Sequence, residues 1–475
     1  MFHAPKHLLI NLVVIGGVVA TTMMPVAYAE NSEVTLTEPA HSLDMDATEY
    51  TKAYDVSFTE ALRRLIIQLS SDDVEADLKN KYKDRLAGMY VEHTPNYRLV
   101  VRLKGNAGVL DTTFPLANKT PVPFAEPLDL PVVFQTGAEY TLAELEKIRD
   151  AHLKEFGAIP DLESVEIDER SGELVVDVFE PETASSSSLS RSASLFKNLP
   201  IKIRRKSARL GNHANARASE SMTMTMTAAG TSLYGCTSGF NVTDKATQKK
   251  FFSTTAAHCG NYKITLDDRK TTGNDKIALN HVKDYWTADQ DFQVMSVKPP
   301  LLQNILLPQF FAKDNVAKIL TGKRTLAHTN AHTGTVTGDI VCHYGATTGH
   351  SCGEVQSVRN WRGIDCGPNE DIVCGRTSVS VAGDQLDCWV GDSGGPVFIG
   401  DVAVGLHVEG SRPGTWEIVK NAKPAKYYQE WNKTMKGKGG CGGKQKNGHE
   451  YGGMVYMSTD EIYKAGYQLI YGKKK

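Results

Sequence analysis

The chain has 475 residues, 41% apolar and 23% charged, a globular composition with enough length for two or three domains. Its formal net charge of −2 gives no reason to expect a nucleic-acid partner. In residues 1–29, Lys6 precedes an apolar run and Ala27-Tyr28-Ala29 has the small-x-small form of a cleavage site. These features predict a signal peptide cut after Ala29, and a protein secreted to the extracellular space or the periplasm. A membrane anchor is the alternative, but the apolar run is short and contains glycine, and no later segment is apolar enough to span a bilayer.

Residues 30–184 lack cysteine, and their first recognisable unit is a helix followed by a hairpin. The stretch SFTEALRRLIIQLS places its apolar residues on one helical face, and Ser57 with Glu60 fits a capping box. The later stretch GMYVEHTPNYRLVVRLKG alternates on both sides of Thr94-Pro95-Asn96, which is typical of a β-hairpin. The pattern predicts one small α+β unit.

A second unit of the same kind follows along the chain. TLAELEKIRDAHLKEFG contains another capping box in Thr141 and Glu144, and LESVEIDERSGELVVDVF indicates a hairpin that turns at Ser171-Gly172. Neither unit carries a cysteine or a combination of His, Ser and Asp that suggests catalysis. The sequence thus predicts two tandem α+β units within residues 30–184.

Residues 185–230 differ in composition from what precedes them. They combine a serine-rich stretch, the basic run IKIRRKSAR and the low-complexity stretch SESMTMTMTAAG, none of which buries enough apolar surface to order itself. A solvated spacer is one interpretation. Because an exposed linker with Arg204-Arg205-Lys206 is a good protease target, we favour a processed junction.

Residues 231–475 show the pattern of an all-β region. Short apolar runs are separated by Gly, Asn, Asp and Pro, among them SGFNVTD, KFFSTTAAH, DFQVMSVK, GEVQSV, RTSVSVA, PVFIGDVAVGLHV and GMVYMST. Strands at this spacing indicate a barrel or a sandwich.

All the cysteines lie in this back region. An even number of cysteines in an exported chain suggests four disulfides. No Cys-x-x-Cys or His-Glu-x-x-His pattern is present, so we expect no metal site. The eight cysteines are Cys236, Cys259, Cys342, Cys352, Cys366, Cys374, Cys388 and Cys441.

One glycine-rich stretch, DCWVGDSGGPV, suggests an active-site loop around Ser393. A serine nucleophile needs a histidine base, and His258 stands at a predicted strand end in FFSTTAAHCG. The base needs an acid that orients it, and Asp291 opens the alternating strand DFQVMSV. The N–H groups of Gly391 and Ser393 can then form an oxyanion hole. This pattern predicts a catalytic triad in the order His258, Asp291, Ser393.

The same serine also fits the Gly-x-Ser-x-Gly elbow of α/β-hydrolases. That fold requires the order Ser, acid, His and a helix after the serine. Here GGPVFIGDVAVGL follows Ser393, which is a strand pattern with a proline, and parallel βαβ units are missing. The sequence therefore argues against an α/β-hydrolase.

The motifs TAAHC, DFQV and GDSGGP, in this order, resemble those of chymotrypsin-like serine proteases. The resemblance is closer to the bacterial streptogrisin and alpha-lytic protease branch, whose Thr-Thr-Gly loop is similar to VCHYGATTGHSCGEV and whose C-terminal strand and helix are similar to GGMVYMSTDEIYKAGYQLIYG. It covers residues 233–475 and implies an all-β double β-barrel. The front units resemble the pro-regions of that branch, which assist folding and block the active site.

The resemblance also implies particular pairs and partners. It implies the disulfides Cys236–Cys259, Cys342–Cys352 and Cys388–Cys441, which leaves Cys366–Cys374 as an extra staple. It implies that Asp392 is buried and shapes the oxyanion loop. Many bacterial members pair that aspartate with an arginine, but the position is His343 here, so the partner of Asp392 stays open and the loop is a candidate for pH sensitivity.

Other departures concern the acid and the specificity pocket. Gln293 replaces the usual Ala or Gly after the catalytic aspartate, and Asp289 is the alternative triad acid. Asp387 or Leu386 takes the place of the pocket floor, depending on whether one counts from Ser393 or from Cys388. The stretch VGLHVEG resembles that of glutamyl endopeptidases, where the equivalent of His407 receives an acidic side chain, whereas Glu409 would repel one. Asp387, His407 and Glu409 are therefore all pocket candidates.

Together these features predict a secreted serine endopeptidase made as a zymogen. Its predicted organisation is a signal peptide (1–29), a pro-region (30–184), a processed linker (185–230) and a protease domain (231–475). We expect protein or peptide substrates, the chain's own pro-region as folding helper and inhibitor, no cofactor, no membrane partner and a monomer. The alternatives are a non-catalytic secreted binding protein on the same fold and a serine esterase.

Overall fold

The computed structural model describes residues 35–159, 162–179, 196, 199–206, 208–212, 221–225, 232–260, 263–267, 276–287, 289–297, 306–313, 316–326, 334–362, 378–389, 391–413, 441 and 453–472. The predicted signal peptide and the predicted pair Cys366–Cys374 lie outside these residues. No helix in these ranges is long and apolar enough to cross a membrane.

The front region, which is the predicted pro-region (30–184), combines helices with a four-stranded sheet whose strand order is β2-β3-β5-β4. A 3-10 turn, Pro39–His41, precedes the first helix. The helices and strands are β1 (Thr35–Leu36), α1 (Asp44–Tyr54), α2 (Phe58–Ser70), α3 (Asp72–Lys81), β2 (Leu86–Glu92), β3 (Arg98–Lys104), β4 (Thr112–Leu116), β5 (Leu128–Ala138), α4 (Leu142–Ala151), α5 (Leu153–Gly157), β6 (Leu162–Asp168) and β7 (Glu173–Phe179).

Both predicted helix caps of this region form, but only one of them is a complete capping box. Thr141 and Glu144 make the complete reciprocal capping box at α4. At α2 the Ser57 side chain accepts the Glu60 N–H at 3.2 Å. The Glu60 carboxylate instead binds the guanidinium of Arg63, because ion pairing within the helix competes with the reciprocal cap.

The predicted linker contains strands that its composition does not predict. They are β8 (Ile201–Lys206), β9 (Ala208–Asn212) and β10 (Ser221–Thr225), followed by β11 (Ser232–Thr237). β8 pairs with β7, β9 with β26 (Val402–Pro413), and β10 with β14 (Lys263–Asp267) and β11. Each of these strands forms backbone hydrogen bonds with a neighbouring strand, whose edge N–H and C=O groups would otherwise be unpaired. They can therefore be ordered without an apolar pattern of their own.

The back region is built almost entirely of strands. It contains a 3-10 turn, Ala257–Cys259. Its other elements are β12 (Val242–Asp244), β13 (Phe251–Thr255), β14, β15 (Lys276–Trp286), β16 (Asp291–Val297), β17 (Gln309–Lys313), β18 (Val316–Ile319), β19 (Gly322–Lys323), β20 (Thr325–Leu326), β21 (Gly334–Thr335), β22 (Ile340–Gly345), β23 (Gly349–Arg362), β24 (Ser378–Ala382), β25 (Pro396–Ile399), β26, β27 (Met454–Ser458), α6 (Thr459–Lys464) and β28 (Tyr467–Leu469).

Two large sheets organise the back region. One has eight strands in the order β11-β10-β14-β15-β16-β13-β12-β28. In the other, β22, β25, β26, β27, β24 and β23 follow one another, and β22 pairs again with β23, so these six strands close into a barrel. The predicted β-barrel protease fold is thereby confirmed, and the strand that follows Ser393 is β25, not a helix.

The front region joins the barrel through both backbone and core. β6 pairs antiparallel with the end of β23, which adds β6, β7 and β8 to the barrel sheet. One continuous cluster of buried apolar side chains runs from Leu43, just before α1, and Leu65 in α2 to Val341 and Phe398 in the barrel. The front and back regions therefore share a hydrophobic core.

Candidate active site

His258 lies in the short 3-10 turn Ala257–Cys259 that follows β13. The turn ends at Gly260, whose φ of 81° suits glycine. The disulfide Cys236–Cys259 fastens the same turn to β11. The imidazole is therefore placed by a tight, covalently anchored turn at the end of a strand.

The structure brings His258, Asp291 and Ser393 into one hydrogen-bonded chain. His258 Nδ1 lies 2.6 Å from Asp291 Oδ2, and His258 Nε2 lies 2.8 Å from Ser393 Oγ. A carboxylate only accepts hydrogen bonds, so Nδ1 carries the ring proton and the lone pair on Nε2 faces the serine hydroxyl. This geometry can take a proton from Ser393 Oγ.

Asp291 also fixes the backbone of the histidine. Its Oδ1 accepts the His258 N–H at 3.0 Å, so one carboxylate holds the ring and the main chain together. Asp291 opens β16, as the alternating pattern predicts, and is 2% exposed. The alternative acid Asp289 lies exposed in the turn before β16.

Ser393 stands in a loop between Cys388 and β25 that depends on glycines. Gly391 and Gly394 have φ values of 107° and 85°, which other residues adopt only with strain. A side chain at Gly394 would collide with Thr255 Oγ1 and Thr237 O. The glycines around the serine are thus explained by backbone conformation and close approach.

The loop leaves two backbone donors available. Its Asp392, Gly394 and Gly395 N–H groups donate to carbonyl oxygens. Within the part of the chain that the structure describes, the N–H groups of Gly391 and Ser393 have no acceptor. Unpaired buried N–H groups are rare, so these two suit the stabilisation of a negatively charged oxygen.

Asp392 is completely buried and is held by neutral donors. Its carboxylate accepts the Trp389 N–H at 2.7 Å, the Thr347 N–H at 2.9 Å, and both the N–H and the hydroxyl of Thr348 at 3.2 and 2.7 Å. Residue 345 is glycine, and a Cβ atom at this position would overlap the Asp392 carboxyl group. Burial raises the pKa of Asp392 to about 6, although these hydrogen bonds act in the opposite direction.

His343 has hydrogen-bond partners other than Asp392. Its Nε2 lies 2.9 Å from Ser351 Oγ and 2.5 Å from the carbonyl oxygen of Asp387. Burial lowers the pKa of His343 to about 4, so the ring is neutral at pH 7. The sequence left the partner of Asp392 open, and the structure supplies it from the Thr-Thr-Gly turn instead.

The specificity candidates lie in different surroundings. His407 is buried on β26, stacked on His343 at 5.4 Å, with Nδ1 3.2 Å from Met454 Sδ. Glu409, on the same strand, is 2% exposed. The Asp387 N–H donates to Ser351 Oγ, and the Asp387 carbonyl accepts the Ser351 hydroxyl at 2.8 Å. Both backbone groups of Asp387 are therefore tied to the β22–β23 hairpin.

Among the residues that the structure describes, three disulfides form. Besides Cys236–Cys259, the structure contains Cys342–Cys352 between β22 and β23, and Cys388–Cys441 at the start of the serine loop. Among the described residues, Cys342, His350 and Cys352 bring three potential metal-binding atoms together. Both sulfurs belong to the disulfide and are not thiolates, the form that binds metal.

No protein-family model and no curated protein matches this chain. Among solved structures, Thermobifida fusca protease A is similar over 54% of this chain and 98% of its own, with 16% identity and a TM-score of 0.33. Cellulomonas bogoriensis chymotrypsin matches 54% and 98%, with 18% identity and a TM-score of 0.31. A glutamic-acid-specific serine protease, described as using a histidine triad in substrate binding, matches 55% and 99%, with 16% identity and a TM-score of 0.32. Identities and TM-scores this low support no conclusion about catalysis or substrate.

Proposed function

We propose that this chain is a secreted serine endopeptidase synthesised in a latent form. The observation that carries the proposal is the hydrogen-bonded chain Asp291–His258–Ser393 beside two N–H groups for which the described residues supply no acceptor. A serine hydroxyl is a weak nucleophile unless a base is in hydrogen-bond contact with it. The arrangement supplies the base, the group that orients it, and donors for the oxyanion.

The reaction follows from these contacts. His258 Nε2 takes the proton of Ser393 as Oγ bonds to the scissile carbonyl carbon, and the negative oxygen is stabilised by the Gly391 and Ser393 N–H groups. The protonated His258 then gives its proton to the leaving amine, which departs and leaves an acyl-enzyme. Water, deprotonated by His258, hydrolyses that ester and restores Ser393. None of these steps requires a cofactor.

We propose further that the full chain is latent. No part of Ser393 is exposed to solvent, although a substrate must reach its Oγ. β9 pairs antiparallel with β26, with Ala208 opposite Pro413 and Asn212 opposite Glu409. β9 therefore runs towards Val408, whose carbonyl lies 3.3 Å from Ser393 Oγ, and covers the edge of β26 along which an extended substrate would add as a strand.

We propose that residues 30–184 act as a pro-region, because they contact the barrel at several separate places. The side-chain amide of Gln68 donates to the Ile340 carbonyl at 2.9 Å and accepts the Ile340 N–H at 3.0 Å. The Asp46 carboxylate accepts the Gly400 N–H at 2.6 Å. Together with the pairing of β6 and β23, these contacts hold β22, β23 and the β25–β26 turn in their barrel positions.

The preference before the scissile bond belongs to the same proposal. Asp387 or Glu409 at the pocket would favour Lys or Arg, whereas His407 would favour Glu. A buried charge needs a partner, so only one of these preferences is expected in a bound complex. We expect the substrates to be proteins or peptides.

Labelling with a fluorophosphonate tests the proposed function directly. After maturation, we expect wild-type protein to be labelled on Ser393 and to hydrolyse peptide substrates. Ser393→Ala should lose labelling and several orders of magnitude of turnover, since only binding and the oxyanion donors remain. An unlabelled, inactive wild type would favour the non-catalytic binding protein, and ester turnover without peptide turnover would favour the esterase.

A further inference from the structure

Gln293 is a buried polar residue next to the proposed triad. It lies on β16 two positions after Asp291, so both side chains project from the same face of the strand. Gln293 is 0% exposed. The protein therefore buries an amide side chain at the base of the histidine turn, where a small residue would cost less desolvation.

The Gln293 amide binds the backbone on both sides of His258. Its Nε2 donates to the Ala256 carbonyl at 3.0 Å and to the Gly260 carbonyl at 2.9 Å. These two carbonyls flank the 3-10 turn that carries the histidine. One side chain thus connects the beginning and the end of that turn.

The orientation of the amide is fixed by its partners. Both partners are carbonyl oxygens, so the NH2 group must face them and the amide oxygen must face away. That oxygen, Gln293 Oε1, is buried and has no hydrogen-bond partner in the part of the chain that the structure describes. A buried acceptor without a partner is destabilising, a cost that a merely space-filling residue would not carry.

We propose that Gln293 is a positioning residue that holds the His258 turn in register with Asp291 and Ser393, an inference that rests on the proposed protease function. Asp291 binds the His258 N–H and ring, while Gln293 binds the carbonyls on either side. Two neighbouring side chains of one strand therefore restrain the turn through its donors and its acceptors. Neither contact of Gln293 involves the substrate.

This role predicts a particular kinetic signature. Loss of the two hydrogen bonds lets the imidazole move relative to Ser393 Oγ, and misplacement of a reacting group by about 1 Å costs roughly 10²-fold in rate. Because Gln293 does not line the substrate cleft, binding should change little. We expect a lowered kcat with a nearly unchanged KM.

The test compares Gln293→Met with Thr254→Val, starting from the full chain. Met keeps the length and burial of Gln but donates no hydrogen bond. Thr254, on β13 in the same sheet, donates its hydroxyl to the Phe240 carbonyl at 2.7 Å and not to the His258 turn, so Thr254→Val controls for the loss of a buried hydrogen bond. Activity is expressed per mole of processed chain, and melting temperatures are recorded for both variants.

We expect Gln293→Met to lower kcat by about 10- to 100-fold with KM within about threefold of wild type, and Thr254→Val to keep kcat within about twofold. Gln293→Glu supplies a second readout and replaces the Met variant if that variant does not fold. A protonated carboxyl can donate to one of the two carbonyls and a carboxylate to neither, so its activity relative to wild type should fall as the pH rises.

Two results would overturn the positioning role. An active wild type with Gln293→Met no slower than Thr254→Val, and with a Gln293→Glu profile parallel to wild type, rejects the role and leaves the proposed function standing. A wild type that neither hydrolyses peptides nor reacts with the fluorophosphonate rejects the proposed function, and the positioning role with it.

Discussion

At the scale of single residues, the three candidate catalytic groups come from distant parts of the chain and meet within hydrogen-bond distance. Asp291 is the acid that contacts His258 through both the ring and the backbone. The Asp291 carboxylate has two roles: it keeps the ring proton of His258 on Nδ1, and it orients the turn that carries His258. An asparagine would keep the shape but could donate its own N–H to the ring, which favours the wrong tautomer.

The choice between the two acids is therefore testable. We expect Asp291→Asn to lower kcat by about 10⁴-fold, and Asp289→Asn, in the exposed turn, to stay within about threefold of wild type. Steady-state peptide hydrolysis by matured proteins measures both. A larger loss in Asp289→Asn than in Asp291→Asn would transfer the role of the acid to Asp289.

Asp392 predicts a pH-dependent contribution to stability. Burial raises the pKa of Asp392 to about 6 from the ordinary value of 3.8. A carboxyl whose native pKa is raised favours the folded state when it is protonated, so its contribution is present near pH 4 and declines as the pH rises to about 6. The shift in pKa corresponds to a change of about 3 kcal/mol at most in the free energy of unfolding over this pH range.

The matching measurement is the free energy of unfolding between pH 4 and pH 7 for wild type and Asp392→Asn. The difference between the two proteins should change over this range, because the asparagine side chain of the variant does not titrate. The activity of the wild type should instead rise with pH over this range, because only the ionised carboxylate accepts all the hydrogen bonds from Trp389, Thr347 and Thr348. A constant difference in stability would contradict the prediction.

At the scale of elements, local signals were enough where a turn or a cap depends on a few adjacent residues. The hairpin turns at Thr94-Pro95-Asn96 and Ser171-Gly172 and the capping box of Thr141 and Glu144 form as the sequence predicts. β8, β9 and β10 were not predictable from their own composition, because each is ordered by pairing with a strand outside the segment: β8 with β7, β9 with β26 and β10 with β14. The partners of Asp392 were missed for the same reason, since Thr347 and Thr348 precede it by more than forty residues.

The pairing of β9 and β10 bounds the maturation cut. β9 lies on β26 beside the proposed catalytic serine, whereas β10 belongs to the eight-stranded sheet of the back region. A cut that frees the cleft but keeps that sheet intact must fall after Asn212 and before Ser221. We expect Edman sequencing of the mature protein to give an N-terminus within residues 213–221. A mature protein that begins after residue 225 would lack β10 and contradict this assignment.

At the scale of the whole molecule, a fully buried ion pair joins the front and back regions. The Asp46 carboxylate, 0% exposed, lies 3.3 Å from the ammonium group of Lys318 and 2.6 Å from the Gly400 N–H. Breaking a buried ion pair leaves an uncompensated charge, which is strongly destabilising. The barrel is therefore expected to form most readily while the front region is in place.

Refolding of the separated parts tests this dependence. A β-barrel with many distant strand pairs folds slowly, because loop-closure entropy is lost before those contacts form. We expect the matured back region, denatured with its disulfides intact, to recover little activity on dilution. Adding the front region as a separate chain should restore activity at low ratio and inhibit it at high ratio.

A variant of the front region makes this test specific to the contacts described. Gln68→Leu removes both hydrogen bonds to Ile340, each worth about 0.5–1.5 kcal/mol. We therefore expect the concentration that gives half-maximal rescue to rise about tenfold. Lys83→Ala, on the exposed surface, is the matched control and should rescue like wild type. Rapid, complete recovery by the back region alone, with no inhibition by excess front region, would show that the front region neither guides folding nor covers the cleft.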